Sequence, residues 1–262
     1  MNLDGCSALI TGASAGIGRE FALQLATRAR QLVLVARRRE RLEQLRGELS
    51  ACNPRLKVHT RIVDLAHRSQ LDALIDWLAD EKVDIDFLIN NAGLGDLGAF
   101  ALSDPKRDDE MLAVNVVALT VLTRSLLPQM IERKRGAILN VSSSAGFLPI
   151  PDFAVYAATK AYVNSFTEAL RAEVRGTGVS VCALCPGPVH TEFNEVAQRP
   201  GETEGRSPEF AYVPVEKVAH DALGAVEADK PLVIPGLIMK IGMFFVRVTP
   251  MSILRRISRR RR

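Results

Sequence analysis

The sequence predicts an α/β fold with a doubly wound parallel sheet, on three observations. Short β-branched runs alternate with longer helical patterns along the chain. A glycine-rich turn, Thr11-Gly-Ala-Ser-Ala-Gly-Ile-Gly18, separates the first such run from the first helical pattern. The composition is 47% hydrophobic but only 5% aromatic, which suits helices packed closely on a buried sheet. At 262 residues, one large core is the natural reading.

Taken in order, the strands are expected at 7–11, 32–36, 57–63, 87–90, 136–142, 179–184 and 232–234. Helices are expected between them at 16–29, 38–50, 67–80, 106–133, 153–175 and 214–228. Right-handed crossovers then give a doubly wound sheet with ligands at the carboxyl ends of its strands. Residues 187–213, rich in Pro, Gly and Glu, lack a clear period and read as a functional lid. The expected organisation is a single catalytic domain over 1–235 and an extension over 236–262, apolar at first and then Arg-rich.

The formal charge of +4 comes from 34 basic and 30 acidic residues. Seven of the arginines (247, 255, 256, 259, 260, 261 and 262) fall in the last sixteen residues, leaving 27 basic against 30 acidic in the body. The basicity therefore belongs to a tail, and no nucleic-acid partner is expected. The start has no basic and apolar leader pattern. Four cysteines at no framework spacing indicate a reducing, cytoplasmic setting. Cys182-Ala-Leu-Cys185 has redox spacing, but residues three apart on a strand face opposite sides, so both read as buried thiols. The four histidines show no metal-ligand spacing, so no metal is expected.

Chemistry concentrates in two places. In the glycine-rich turn, Gly12 permits the bend, Gly16 would let backbone approach a pyrophosphate, and Gly18 would let helix and strand pack closely; the helix N-terminus offers its amides to phosphate. Past the second strand stands Ala36-Arg37-Arg38-Arg39, where an NAD site would want a carboxylate. Arg37, helped by Ser14, can instead pair with a 2′-phosphate, which favours NADP(H) over NAD(H). Further along, Tyr156 and Lys160 are four apart on a helix and share a face. A cation there is expected to lower the phenol pKa from its ordinary value near 10 and make it useful for proton transfer.

Thr11 to Gly18, Asn90-Asn-Ala-Gly93, Asn115, the Ser142-Ser143-Ser144 run, Tyr156-x-x-x-Lys160 and Pro186-Gly187 with Thr191 together resemble the short-chain dehydrogenase/reductase family, in order and approximate spacing over residues 5 to about 235. The resemblance implies a Rossmann fold with a seven-stranded parallel sheet. It implies that Tyr156 is the general acid of reduction and base of oxidation, and that Lys160 binds the nicotinamide ribose. Ser143 would hydrogen-bond the substrate carbonyl; Ser142 and Ser144 are chemically equivalent, and only the thirteen-residue offset to Tyr156 favours Ser143. Asn115 would hold a relay water, or it is a buried amide satisfied by backbone. The implied cofactor set is Gly12, Ser14, Gly16, Ile17, Gly18, Arg37, Asp64, Leu65, Asn91, Ala92, Gly93, Pro186, Gly187, Val189 and Thr191, with Tyr156 and Lys160. Asp64 would contact adenine, and equally suits a helix cap. Thr159 stands where the family often has Ser.

The residues so placed near a substrate, 94–97, 147–151 and 193–196, are mostly apolar, which implies a hydrophobic, uncharged ketone or aldehyde, such as a lipid-like or fatty acyl derivative. The leading expectation is an NADPH-dependent carbonyl reductase, reversible in principle; the alternative is a catalytically silent NADP(H)-binding sensor or scaffold. Apolar surface on 106–133 and 153–175, read with the resemblance, implies a homo-oligomer, dimer or tetramer. Residues 236–262 lack a run long enough to span a bilayer. They suit a peripheral membrane anchor, an oligomer contact or a cover for the core.

Overall fold

Runs of Val, Ile, Leu and Ala that carry no charge can be buried on both faces only in the middle of a layered structure; such segments form the centre of one parallel sheet here, and the edge strand, with Lys57 and Arg61, is partly exposed. In the computed structural model, which describes residues 1–199, 208–250 and 252–254, the strands are β1 (Ser7–Thr11), β2 (Gln31–Ala36), β3 (Lys57–Ile62), β4 (Phe87–Asn90), β5 (Gly136–Val141), β6 (Val179–Leu184) and β7 (Leu232–Val233). Their order is β3-β2-β1-β4-β5-β6-β7. The direction of winding reverses between β1 and β4, and a cleft opens there at the carboxyl ends. The helices are α1 (Gly16–Leu25), α2 (Arg39–Cys52), α3 (Arg68–Asp80), α4 (Pro105–Leu112), α5 (Leu119–Glu132), α6 (Ala154–Glu173), α7 (Phe193–Ala197), α8 (Val215–Glu227) and α9 (Leu237–Val248).

Side chains alternate along each strand and divide the core in two. Ala8, Ile10, Leu32 and Leu34 pack with Phe21, Leu42 and Leu223 beneath α1, α2 and α8. Leu9, Val33 and Val35 pack with Leu74, Leu122 and Leu170 beneath α3, α5 and α6. Each fully buried leucine contributes about 2 kcal/mol by removal of apolar surface from water. Cys182 lies in the first layer, while Cys185 packs in a separate cluster with Ala183, Ile234 and Met243. Both thiols are free and buried, and burial pushes each up to about 12, so neither is a nucleophile at neutral pH.

The fold departs from the expected elements in two places. The helix expected over 16–29 stops at Leu25, because the Ala26 carbonyl accepts from Asn53 and Arg28 turns away to Asp4 and Glu227. The helix expected over 106–133 is two α-helices joined by a π-helical turn, Ala113–Ala118; such turns re-aim one side chain, here Asn115. The extension after 235 begins with α9, whose inner face packs on the core, while the arginines at 255–262 lie outside the described residues.

Candidate active site

The cleft is a cavity of about 650 Å³ that runs from Arg37 and Arg38 at one end to Tyr156, Phe193 and Ile150 at the other. Every cofactor residue expected from the sequence except Gly18 lines it, as do Ser143, Tyr156 and Lys160; Asn115 does not.

The glycine turn is held by Asn91, whose side-chain amide donates to the Thr11 carbonyl at 2.8 Å and the Gly12 carbonyl at 3.3 Å. Gly12 has φ +66°, and a Cβ on it would stand 2.9 Å from the Ala92 backbone; one on Gly18 would stand 2.4 Å from Asn91. Both positions therefore exclude other residues. The close neighbour of Gly16 is Thr191, at 3.1 Å from where a Cβ would lie, so this glycine brings the turn against the lid segment. Asn90, one residue before Asn91, points under the sheet, bonding Asn140 at 2.9 Å and Thr123 at 3.1 Å.

Three arginines and two carboxylates shape the adenosine end. Ser14 is bonded by Arg38, at 3.1 and 3.3 Å, and not by Arg37. Arg38 also donates to Glu192 at 2.7 Å, and Arg41 donates to the other Glu192 oxygen at 2.5 Å. Arg37, 55% exposed, stands 3.8 Å from Asp64. Alternation past β2 explains the difference, since consecutive side chains leave a strand end in opposite directions. Asp64 does not cap a helix: α3 begins at Arg68 after an uncapped His67, and Asp64 accepts from the Ala66 amide at 3.0 Å in a local turn. Arg38 is thus a cleft residue beside Arg37 that the spacing after β2 does not single out. The paired arginines hold the Glu192 carboxyl below its ordinary range, Arg38 most and then Arg41.

At the catalytic end the three consecutive serines separate. Ser142 is buried and donates to the Lys160 carbonyl at 3.0 Å, and the Ser144 amide donates to the Pro186 carbonyl at 2.9 Å. Ser143 caps the 3-10 turn Ser144–Phe147 by accepting from the Ala145 amide at 3.1 Å, leaving its hydroxyl on the cavity wall beside Tyr156. Tyr156 is 7% exposed; it stacks on Phe153 at 4.3 Å and leans on Phe193 at 5.3 Å between ring centres. The Lys160 ammonium lies 5.6 Å from the Tyr156 ring centre and donates to the Val141 carbonyl at 2.8 Å.

Burial sets the proton affinities here. It pushes the Tyr156 phenol up to about 12, and the neighbouring Ser143 hydroxyl, which favours the phenolate, opposes the shift only in part. Burial likewise lowers Lys160 to about 8. The expectation of a lowered phenol is therefore corrected: loss of water around Tyr156 raises it, and loss of water around Lys160 lowers the ammonium. At neutral pH the pair is a neutral phenol beside an ammonium, which is the proton-donating form.

Asn115 does what a backbone-satisfying amide does. Its oxygen accepts from the Leu94 amide at 2.8 Å, and its nitrogen donates to the Leu94 carbonyl at 2.9 Å and to Thr159 at 3.0 Å. It thereby fixes the turn after Gly93 against α6. Thr159 completes the link by donating to the Tyr156 carbonyl at 2.7 Å.

Around Tyr156 the wall is apolar: Leu94, Leu97, Leu148, Ile150, Phe153, Phe193 and Val196. Two arginines lie close behind it but are turned away. Arg107 and Arg199 both pair with buried Asp96, tying the 94–97 loop to α4 and to the end of α7. No group of His, Cys, Asp and Glu among the described residues is placed to hold a metal ion.

Comparison with known proteins agrees with this geometry. Over residues 7–201 the chain matches the short chain dehydrogenase family. It is 40% identical over 191 residues to sulfoacetaldehyde reductase 2 of Chromohalobacter salexigens, covering 72% of this chain and 74% of that one. It is 34% identical over 195 residues to the very-long-chain 3-oxoacyl-CoA reductase of Homo sapiens, covering 72% of this chain but 61% of that longer protein. The solved structure of a short-chain dehydrogenase from Sphingobium yanoikuyae in complex with NADPH superposes with a TM-score of 0.81 at 33% identity, over 88% of each chain. The parallel sheet, the glycine turn at its switch point and this extent of identity have one explanation: the chain belongs to the short-chain dehydrogenase/reductase family, oxidoreductases that interconvert carbonyls and alcohols.

Proposed function

We propose that the protein is an NADPH-dependent reductase of a hydrophobic ketone or aldehyde. The observation that carries this reading is one cavity with a proton-donating phenol in an apolar wall at one end and arginines at the other. The residues present fit a nicotinamide dinucleotide phosphate. The first turn of α1 has neither a side-chain cap nor an acid, so its amides are available to a pyrophosphate. Arg37, Arg38 and Ser14 offer donors to a 2′-phosphate, and no carboxylate follows β2 directly to select a free ribose hydroxyl. The relative crystallised with NADPH supports the same choice.

The cofactor supplies the hydride when bound. The chain's own work is to hold and protonate the carbonyl. Ser143 donates a hydrogen bond to the carbonyl oxygen and stabilises charge developing there. Tyr156 gives that oxygen its phenolic proton. The Lys160 ammonium stabilises the phenolate left behind, and solvent then restores the proton. Phe153, Phe193 and Ile150 keep water from the reacting carbon and select apolar substituents.

The relative named as acting on sulfoacetaldehyde makes a small anionic aldehyde the sharpest competitor. A panel of carbonyls with NADPH and with NADH decides between them. Turnover of bulky apolar ketones with NADPH supports the proposal, whereas turnover restricted to small anionic aldehydes rejects it. We further place a homo-oligomer contact on α5 and α6, where Thr120, Arg124, Leu127, Ile131 and Phe166 line an apolar groove.

A further inference from the structure

The described structure and the sequence beyond it converge on α9. Its inner face is used: Met239, Met243 and Val246 pack with Cys185, Ile234, Phe147 and Leu148. Its outer face is not. Leu237, Ile238, Ile241, Phe244, Phe245 and Val248 are all exposed, Phe244 at 63% and Phe245 at 59%. At 100° per residue these six fall within one arc of about 120°. Six neighbouring apolar side chains on one helix form a patch of the kind that marks an interaction site.

Charge identifies the occupant. Exposed Lys240 and Arg247 fall together along one edge of the arc, with the Arg247 guanidinium 5.8 Å over the Phe147 ring. After α9 come six more arginines, at 255, 256, 259, 260, 261 and 262, and residues 231–262 contain no Asp or Glu. A two-fold contact between copies on this face would set these cations against one another without a carboxylate from the same segment to neutralise them. An anionic lipid surface neutralises all of them and takes up the apolar arc as well. The twelve residues of α9 reach about 18 Å, short of the hydrocarbon thickness of about 30 Å, and Gly236 and Pro250 bound the helix. A helix of that length can lie on a bilayer but cannot cross one.

We infer that α9 and the basic end of the chain dock the protein peripherally on an anionic lipid bilayer. Docking would set the substrate end of the cleft beside the lipid. Met239 stands so close to Gly187 that a Cβ there would be 2.7 Å from it, and Leu148 belongs both to the inner packing of α9 and to the cavity wall. The docking surface itself stands whether or not the cofactor and substrate are those proposed above.

The test is co-sedimentation of the full chain with phosphatidylcholine vesicles, with and without phosphatidylserine. Binding is expected to the anionic vesicles, to weaken with added salt, and to be negligible with neutral ones. The double variants F244S/F245S and K240E/R247E should each lose roughly ten-fold or more in partitioning while keeping the wild-type unfolding midpoint. Equal sedimentation with and without anionic lipid would overturn the proposal. So would undiminished vesicle binding by F244S/F245S, which would leave an electrostatic tail alone. A change in oligomeric mass for F244S/F245S with no vesicle binding by wild type would make the face a contact between copies and also overturn it.

Discussion

At the catalytic end of the cleft, Tyr156 and Lys160 are packed out of water beneath Phe153 and Phe193, and one helix fixes their separation. At the adenosine end, Arg37, Arg38 and Arg41 stand at the surface, and carboxylates from distant parts of the chain, Asp64 and Glu192, set their directions. In the first region burial governs chemistry: it raises the Tyr156 phenol to about 12 and lowers the Lys160 ammonium to about 8. In the second, solvent screens each pair and single ion pairs are weak. Changes at the buried end should therefore alter rate and pH response, and changes at the exposed end should alter cofactor affinity.

After Tyr156, the largest effect expected is at Lys160. Lys160→Met should lower kcat/KM for carbonyl reduction by roughly 10²–10³-fold, read as NADPH consumption. The same variant gives a stability test. Lys160 titrates near 8 in the fold and at 10.5 when free, so between those values the unfolded chain holds more protons and stability rises with pH. Wild type should gain on Lys160→Met by up to about 3 kcal/mol between pH 7 and 10.5, measured by urea unfolding of both proteins. The buried cysteines titrate in both and largely cancel in the difference.

Next come the serines. Ser143→Ala should cost about 10²-fold in kcat, whereas Ser142→Ala should cost about 1 kcal/mol of stability and leave kcat within about three-fold. Similar losses of kcat in the two would break the distinction between them. At the exposed end, Arg38→Ala should raise KM for NADPH about ten-fold and leave KM for NADH little changed, with Arg37→Ala weaker because that side chain points to Asp64. The smallest effect belongs to Glu192→Gln, which frees Arg38 and Arg41 and should tighten NADPH about two- to three-fold in a fluorescence titration.

The same contrast explains what was legible in the chain. Tyr156 and Lys160 could be paired from sequence because four residues on a helix always share a face, and the central strand runs could be found because a buried sheet needs uncharged segments, whereas the edge strand β3 carries Lys57 and Arg61. Ser143 could be separated from Ser142 only by an offset; the physical reason is a 3-10 turn that sends one hydroxyl to the cavity and the other to the Lys160 carbonyl. The π turn at Asn115 leaves no side-chain period to read, and its purpose lies in Leu94, twenty-one residues away. Spacing does not single out Arg38 because its partners, Ser14 and Glu192, come from other loops. The raised phenol depends on Phe153 and Phe193 closing over Tyr156, which no spacing reveals.

The account rests on Tyr156 giving the proton, and Tyr156→Phe tests that most directly, with NADPH binding followed by fluorescence and turnover followed by absorbance on one preparation. Binding should stay within about three-fold of wild type while kcat falls by 10³-fold or more. Turnover within ten-fold of wild type, with the cofactor bound normally, would contradict it.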